Sequence, residues 1–380
     1  MIGSPLPLAA LIVAVTALAF WLDRTVAPLS RVGASLLAIV LGALLSNTGA
    51  VPAASPVYDV IGGPVTSLAI AWLLLSVDLS DMKRAGPRML AAFGVAVLGT
   101  VVGAFVGAFV FAGFLGPDTW RLAGTLTGTY TGGSVNFVAV GRGLGLPDEL
   151  FAGATAADAL ATALWLGATL LLPLWIGRFY RAEVPRPVAE EEGGTEHHHP
   201  FFFRQPTSTL DLAVLFAAGF LLLAASEWLG ALVPAVPTVL WLTTLALIVG
   251  HLPPFKEPRG ALQLGTLALH FFFVVIGIHS RIAEIAAVGV EVFYYTLLVV
   301  GVHGLIVYGV GRLMRLDVGT VSVASQAAIG GPSSALAVAV SRDWPALVLP
   351  GIIVGLLGYA VGNYLGFAVG YLVRGLGVGL

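Results

Sequence analysis

The chain has 380 residues, of which 58% are hydrophobic and only 10% charged, with a formal net charge of −2. A soluble domain would carry about 25% charged residues, and a disordered chain would combine low hydrophobicity with high net charge, so both classes are excluded. No basic tail or patch marks a nucleic-acid partner, and the absence of cysteine rules out disulfides, thiolate metal sites and a thiol nucleophile. What remains is a polytopic membrane protein, in keeping with a mean hydropathy of +0.97 and with 48 glycines set inside apolar runs. Its first expected partner is the lipid bilayer.

A spanning helix needs roughly 20 mostly apolar residues. Such runs occur near 5–22, 32–50, 60–77, 89–115, 119–141 and 150–176, and again near 209–232, 236–251, 261–279, 286–311, 318–340 and 345–373. The first run lacks a basic n-region and an obvious small-residue cleavage site, so it is expected to be a mature helix and not a signal peptide. Between the two sets lies the polar stretch 177–208, with Arg178, Arg181 and Arg186, then Glu190, Glu191 and Glu192, then His197, His198 and His199. These histidines sit in an acidic, proline-containing loop and are read as solvated, not as a metal site. The expected organisation is a first repeat over 1–176, a cytoplasmic linker over 177–208 and a second repeat over 209–380.

The halves resemble each other. LAIAWLLLSVDLSD at 68–81 matches LALHFFFVVIGIHS at 267–280 in apolar pattern, and TGGSVNFVAV at 131–140 matches IGGPSSALAV at 329–338. Two matches at nearly one offset, some sixty residues apart, imply an internal duplication. The runs 119–141 and 318–340 are too polar to face lipid. The first contains Arg121, Thr125, Thr127, Thr129, Tyr130, Thr131, Ser134 and Asn136 around Gly132 and Gly133, and the second contains Thr320, Ser322, Ser325, Gln326, Ser333 and Ser334 around Gly330 and Gly331. Each could be a broken spanning helix or a re-entrant hairpin, because non-helical backbone at membrane depth is tolerated only inside protein or along a wet cavity.

Charge distribution separates the two readings. With both runs as hairpins, each half has five spans and the halves are inverted. The cytoplasmic side then receives Arg24, Arg31, Lys83, Arg84, Arg88, Arg178, Arg181, Arg186, Arg204, Lys256, Arg259, Arg312, Arg315 and Arg342, and the outside receives Arg121, Arg142, Arg281 and Arg374. With both runs spanning, the balance becomes 8 inside against 10 outside. The expected fold is therefore all-α and polytopic, with two inverted repeats of five transmembrane helices plus one re-entrant hairpin each. It lies in the inner (cell) membrane with both termini outside, and the glycine tips meet near the midplane.

Inverted repeats with broken helices are the pattern of secondary transporters. Helix ends in the membrane expose N–H groups that attract anions, and carbonyls and hydroxyls that hold a desolvated cation. The expected substrate or ion-binding residues are Thr129, Thr131, Gly132, Gly133, Ser134, Asn136, Gln326, Gly330, Gly331, Ser333 and Ser334. Asp158, about eight residues into an otherwise apolar span, is the sharpest single candidate, because an intramembrane carboxylate without a cationic partner suits a coupling site for Na⁺ or H⁺. His270, Glu291, His303 and Glu227 are weaker intramembrane candidates, and Asn363 could complement Asp158 across the repeat. Asp78 and Asp81 belong with Lys83 and Arg84 on a solvated loop.

LTGTYTGGSVNFVAV, then AADALATALW, then QAAIGGPSSALAVAV resemble the YjcL-like family (DUF819), multi-pass membrane proteins of bacteria and plastids, over nearly the whole chain. The resemblance marks Thr129, Gly132, Gly133, Ser134, Asn136, Asp158, Gly330, Gly331 and Pro332. The family is grouped with sodium:glutamate symporters, citrate-type symporters and cation/proton antiporters. That grouping implies a mobile core, a dimerising scaffold, hence a homodimer, and elevator-type movement. A single aspartate stands where the antiporters carry an acidic or Asn-Asp pair, which leaves proton antiport open. The expected function is ion-coupled secondary transport of a small organic solute, taken as anionic from the helix N-termini, with no cofactor beyond a coupling Na⁺ or H⁺. A cation/proton antiporter is the alternative. An enzyme is disfavoured: an intramembrane aspartyl protease needs two facing aspartates, but Asp59 lies near an edge. No serine-protease or nucleotide-binding motif occurs. A channel would share the repeats.

Overall fold

The computed structural model describes residues 4–26, 29, 34–79, 82–180, 182–185, 207–252, 255, 259–279 and 282–379, without side chains at 36, 282–289 and 340. Glu190, Glu191, Glu192, His197, His198 and His199 of the central linker lie outside the described residues, as do Arg31, Asp81, Arg181, Arg186, Arg204, Lys256 and Arg281. The described chain is helical. The helices are α1 (Pro5–Thr25), α2 (Ala34–Asn47), α3 (Pro56–Leu75), α4 (Met82–Leu115), α5 (Thr119–Gly132), α6 (Ser134–Gly143) and α7 (Asp148–Ile176). After the linker come α8 (Thr209–Leu232), α9 (Thr238–Gly250), α10 (Ala261–His279), α11 (Ile282–Leu313), α12 (Val318–Ser341) and α13 (Val348–Gly375).

Among the described residues, eight helical stretches are long and apolar enough to cross a membrane, and Leu37–Asn47 and Thr238–Gly250 are shorter apolar helices. Large apolar side chains remain on the outer surface, with Leu305 79%, Leu313 81% and Trp175 76% exposed. An aqueous protein rarely leaves so many uncovered; here they contact lipid. The protein is an all-α, multi-pass membrane protein. Local signals set several helix starts. Ser208 and Asp211 form a reciprocal capping box on α8, Pro5 opens α1, and Ser55 accepts from the Val57 N–H at the start of α3. Near its start α3 contains a π-helical turn, Ile61–Val65, around Pro64, where the proline ring cannot fit an i→i−4 ladder.

The helices form two bundles. In one, α2 packs on α10 and α9 on α3, while α1 covers α2 and α10, and α8 covers α9 and α3. In the other, α4 packs on α11, α7 on α11 and α12, and α13 on α4, α5 and α12. The pairings are reciprocal when α1 to α7 are matched in order with α8 to α13, taking α5 and α6 together with α12.

The chain reverses at two glycines. Gly133 has φ 90° and ψ −165°, and Gly331 has φ 76° and ψ −169°, a region essentially closed to any residue with a Cβ. After Gly133, α6 folds back along α5: Arg121 Nε donates to the Leu144 carbonyl at 3.0 Å, and a Cβ on Gly141 would lie 3.3 Å from the Thr125 methyl. In α12 the two halves also return together, since Val323 and Ala335 face one glycine, Gly351.

Helix α13 lies along both reversals on a glycine face. Gly351 meets Val323, Gly355 meets Pro332, Gly358 meets Thr131 and Gly132, Gly362 meets Asn136, and Gly370 meets Leu144 and Trp120. The hairpins are thus end to end, tips together near the middle of α13 and open ends at its two extremes. Gly351 to Gly370 spans roughly 28 Å of helix, close to the roughly 30 Å hydrocarbon thickness.

This packing makes a direct prediction. A Cβ at Gly358 would collide with the Thr131 carbonyl, whereas nothing lies within 4 Å of one at Gly94 on exposed α4. Gly358→Ala should destabilise by about 1–3 kcal/mol and Gly94→Ala should be neutral or slightly stabilising, as read from melting in detergent.

Candidate functional site

A cavity of about 560 Å³ lies between the bundles beside the glycine tips, lined by Thr129, Gly133, Ser134, Phe137, Thr155, Asp158, Ala159, Thr162, Ala163, Leu166, Ile329 and Gly330 from one bundle and by Ser35 and Phe273 from the other. A Cβ built on Gly133 would lie 3.9 Å from the Gly331 Cα and 3.8 Å from the Tyr359 ring. The tips therefore touch. Ser134, the first residue of α6, is exposed although 122–133 and 135–141 on either side of it are buried. The first backbone bonds of that helix run from the Asn136 and Phe137 N–H groups to the Gly133 carbonyl at 3.0 and 3.2 Å. The N–H at Ser134 therefore precedes the ladder and is an orphan donor of the helix start.

Asp158 projects from α7 on the face shared by Thr155, Ala159, Thr162 and Leu166, the i, i+3, i+4 pattern of one helical side. Thr162 Oγ1 donates to its Oδ1 at 3.4 Å. The Tyr130 hydroxyl faces the same carboxylate but stops outside hydrogen-bonding geometry. Among the described residues, none that lines the cavity is a lysine, arginine or histidine. Buried polar atoms without a protein partner cluster around the tips: Thr129 Oγ1, Tyr130 Oη, Asn136 Oδ1 and Gln326 Nε2. Leaving such an atom unpaired costs about 1–3 kcal/mol; of the four, Thr129 Oγ1 borders the cavity.

Of the residues singled out from sequence, Thr129, Gly133, Ser134, Asp158 and Gly330 line the cavity. The others sit behind it. Thr131 Oγ1 donates to the Thr127 carbonyl, Ser334 Oγ to the Gly330 carbonyl, and Gly132 is pressed on Gly358. Gly331 forms the second tip, and Ser333 is exposed next to it. Gln326 Oε1 accepts from Thr169 at 3.2 Å. Asn136 Nδ2 donates to the Tyr359 carbonyl and to Asn363 Oδ1, both at 3.0 Å. Asn363, expected to complement Asp158, instead bridges Asn136 to Thr243. It lies next to Gly362 on the face of α13 that packs on the hairpin at Asn136.

The weaker candidates divide. His270 stands behind the cavity wall, 3.3 Å from Ser35 Oγ. His303 is a brace: Nδ1 meets Thr100 Oγ1 at 3.0 Å and Nε2 meets Ser325 Oγ at 2.8 Å, with Thr100 donating to the Tyr130 carbonyl. Glu227 is exposed on α8 and Glu291 half-buried on α11. Asp78 lies 3.4 Å from His251 Nε2. Sequence reasoning missed Tyr130, Thr155 and Thr162, although the threonines flank Asp158 at helical spacing. It had no signal for Ser35 and Phe273, which come from the opposite bundle.

A second cavity of about 270 Å³ lies on the same interface, by the open end of the first hairpin. Asp148 meets His279 Nδ1 at 2.9 Å and Arg142 at 3.5 Å, and Arg142 also donates to the Gly62 carbonyl in the π-helical turn at 3.2 Å. Arg142 and Asp148 belong to the hairpin bundle, and Gly62 and His279 to the other. The cluster fastens one to the other.

The chain belongs to the family described as Protein of unknown function (DUF819), whose model matches residues 10–376. It is 27% identical over 356 residues to the "Uncharacterized membrane protein YjcL" of Bacillus subtilis (strain 168), with 90% of each chain covered.

The two polar tip residues should behave oppositely. Thr129→Val removes a hydroxyl that no protein group uses, and should leave the melting temperature unchanged or raised. Asn136→Ala breaks two hydrogen bonds and strands Asn363, and should cost about 1–3 kcal/mol in the same detergent melt.

Proposed function

We propose that this chain is a secondary active transporter of the cell membrane, coupled to Na⁺ or H⁺ at Asp158. One observation carries the reading. Two helices reverse at glycines in the same glycine-only conformation, and their tips meet half-way along α13 beside a cavity that holds a buried carboxylate. Hairpins whose tips meet at the middle of a spanning helix and whose open ends lie at its two extremes are re-entrant hairpins entering from opposite faces. Together with the reciprocal packing, this supports two inverted repeats. Broken backbone at this depth needs protein or water around it, and α13 and the cavity supply one each.

The two bundles support a movement of one against the other. The hairpin bundle carries Asp158 and most of the cavity lining, while the other bundle contributes a wall. Elevator-type displacement of the hairpin bundle along a stationary, dimerising scaffold is the form proposed here. The fastening through Arg142, Asp148 and His279 would have to part in each cycle. A single carboxylate and no cation in the lining keep a cation/proton antiporter as the second reading. The cavity volume lies in the range of small-molecule sites, which supports an organic solute. An anionic solute has only the Ser134 helix start on its side. Catalysis gains no support, since Asp158 and Asp59 line different cavities.

Two experiments test this. A ligand binding only the folded state stabilises by RT ln(1 + [L]/Kd), about 2.7 kcal/mol at a hundredfold excess over Kd. Melting in Na⁺ against K⁺ at equal ionic strength, and across pH, should show a cation-specific rise that Asp158→Asn abolishes. Indifference of the native protein to both Na⁺ and pH would remove Asp158 from coupling. Because the chain lacks cysteine, single cysteines report sidedness. Ala54→Cys, on the Arg142 side, should label from outside, and Met314→Cys, at the opposite end, from the cytoplasm. The reverse pattern would invert the orientation.

A further inference from the structure

We propose that the solute is an organic cation, a small molecule in which a protonated amine is joined to an apolar body. The inference rests on the transport reading above and names the class of substrate for the same cavity. Three features point to it. The only formal charge among the lining residues is the Asp158 carboxylate, and no salt bridge to a described residue neutralises it. Its neighbours are acceptors of hydrogen bonds as well as donors: the hydroxyl of Thr162 at 3.4 Å, that of Thr155 one turn away, and the Thr129 hydroxyl, which is 1% exposed, borders the cavity and has no protein partner. Three donors of an ammonium group match such a set.

Apart from Ser35 and Ser134, the remaining wall is apolar. Phe137, Leu166, Phe273 and Ile329 offer nothing to a metal ion, and a bare Na⁺ would occupy a small corner of about 560 Å³. A carboxylate solute fares worse, because placing a second negative charge near an unpaired buried carboxylate is unfavourable on both Coulombic and desolvation grounds. Along α7 the lining changes character in order, from Thr155, Asp158 and Thr162 to Ala163 and Leu166. Asp158 and Leu166 are roughly 12 Å apart along the helix. A molecule with one charged end and one apolar end fits that gradient. The aromatic faces of Phe137 and Phe273 add attraction for a cation and for its hydrocarbon alike.

The test uses pairs of equal shape and opposite charge on the purified protein: butylamine with butyrate, cyclohexylamine with cyclohexanecarboxylate, and phenethylamine with 3-phenylpropionate. Calorimetry and melting are recorded in K⁺ buffer. At least one amine should bind saturably and raise the melting temperature, with its carboxylate counterpart silent. Asp158→Asn should weaken the amine at least tenfold. Ala163→Leu, which narrows the cavity without touching the carboxylate, should weaken phenethylamine more than butylamine and keeps the test open if Asp158→Asn does not fold. Binding of the carboxylates, silence of all three amines, or amine binding untouched in folded Asp158→Asn would each overturn the inference. Silence of the amines with the cation-specific stabilisation at Asp158 intact would remove the substrate class alone. Amine binding by a protein indifferent to Na⁺ and pH would instead keep the class and remove ion coupling.

Discussion

A helix that stops inside a bilayer leaves N–H and C=O groups that lipid cannot satisfy, and in this chain two such stops are sheltered by one helix. The glycine face of α13 lets backbone touch backbone at both hairpins, with Gly355 against Pro332 and Gly358 against Gly132. Any side chain on that face would hold the hairpins away and open their tips to lipid. Small residues at helix interfaces serve close approach in membranes generally. Here close approach is also what makes the two glycine reversals possible, and the cavity exists because they are held in place.

The two sides of the tips are unlike. On the α13 side the packing is closed, and Asn136 Nδ2, Asn363 and Thr243 form a chain of hydrogen bonds. On the α7 side the wall stands back, leaving space lined by Asp158 and three threonine hydroxyls. The helices occupying these matching positions differ in composition accordingly, glycines facing inward on α13, and threonine, aspartate and alanine on α7. Reciprocal packing is thus closed on one side and opened on the other.

The membrane class, the twelve apolar runs and the two reversals were legible in sequence because each rests on local chemistry: hydropathy, length, and paired glycines amid polar residues. Asp158 was legible because a lone carboxylate in an apolar run is costly. Asn136, Gln326 and Thr131 were equally conspicuous as polar residues, yet their side chains lie behind the cavity wall. Which side of a hairpin a residue faces depends on where α13 packs, and for the first hairpin that is set by contacts more than two hundred residues away. Ser35 and Phe273 were invisible for the same reason. The π-helical turn at Ile61–Val65 and its carbonyl partner Arg142 also join distant segments, and only the proline hinted at the local irregularity.

Both cavities lie on the seam between the bundles, and this bears on how the proposed transporter would work. The seam has few helix-to-helix contacts compared with the interior of either bundle, so it is where relative movement costs least. Apolar contacts cross it, such as Phe151 with Phe272, as does the hydrogen bond from Asn363 to Thr243. Its ionisable contacts are localised, Asp148 with His279 and Arg142 with the Gly62 carbonyl, and they are made or broken as units. They also sit at the open end of the first hairpin, on the element that carries Ser134 at its other end. A shift of that hairpin would therefore part the fastening and move the cavity wall in one step. A solute paired with Asp158 would travel with the hairpin bundle, because nearly every group it touches belongs to that bundle, and Ser35 and Phe273 would be left behind as the stationary wall.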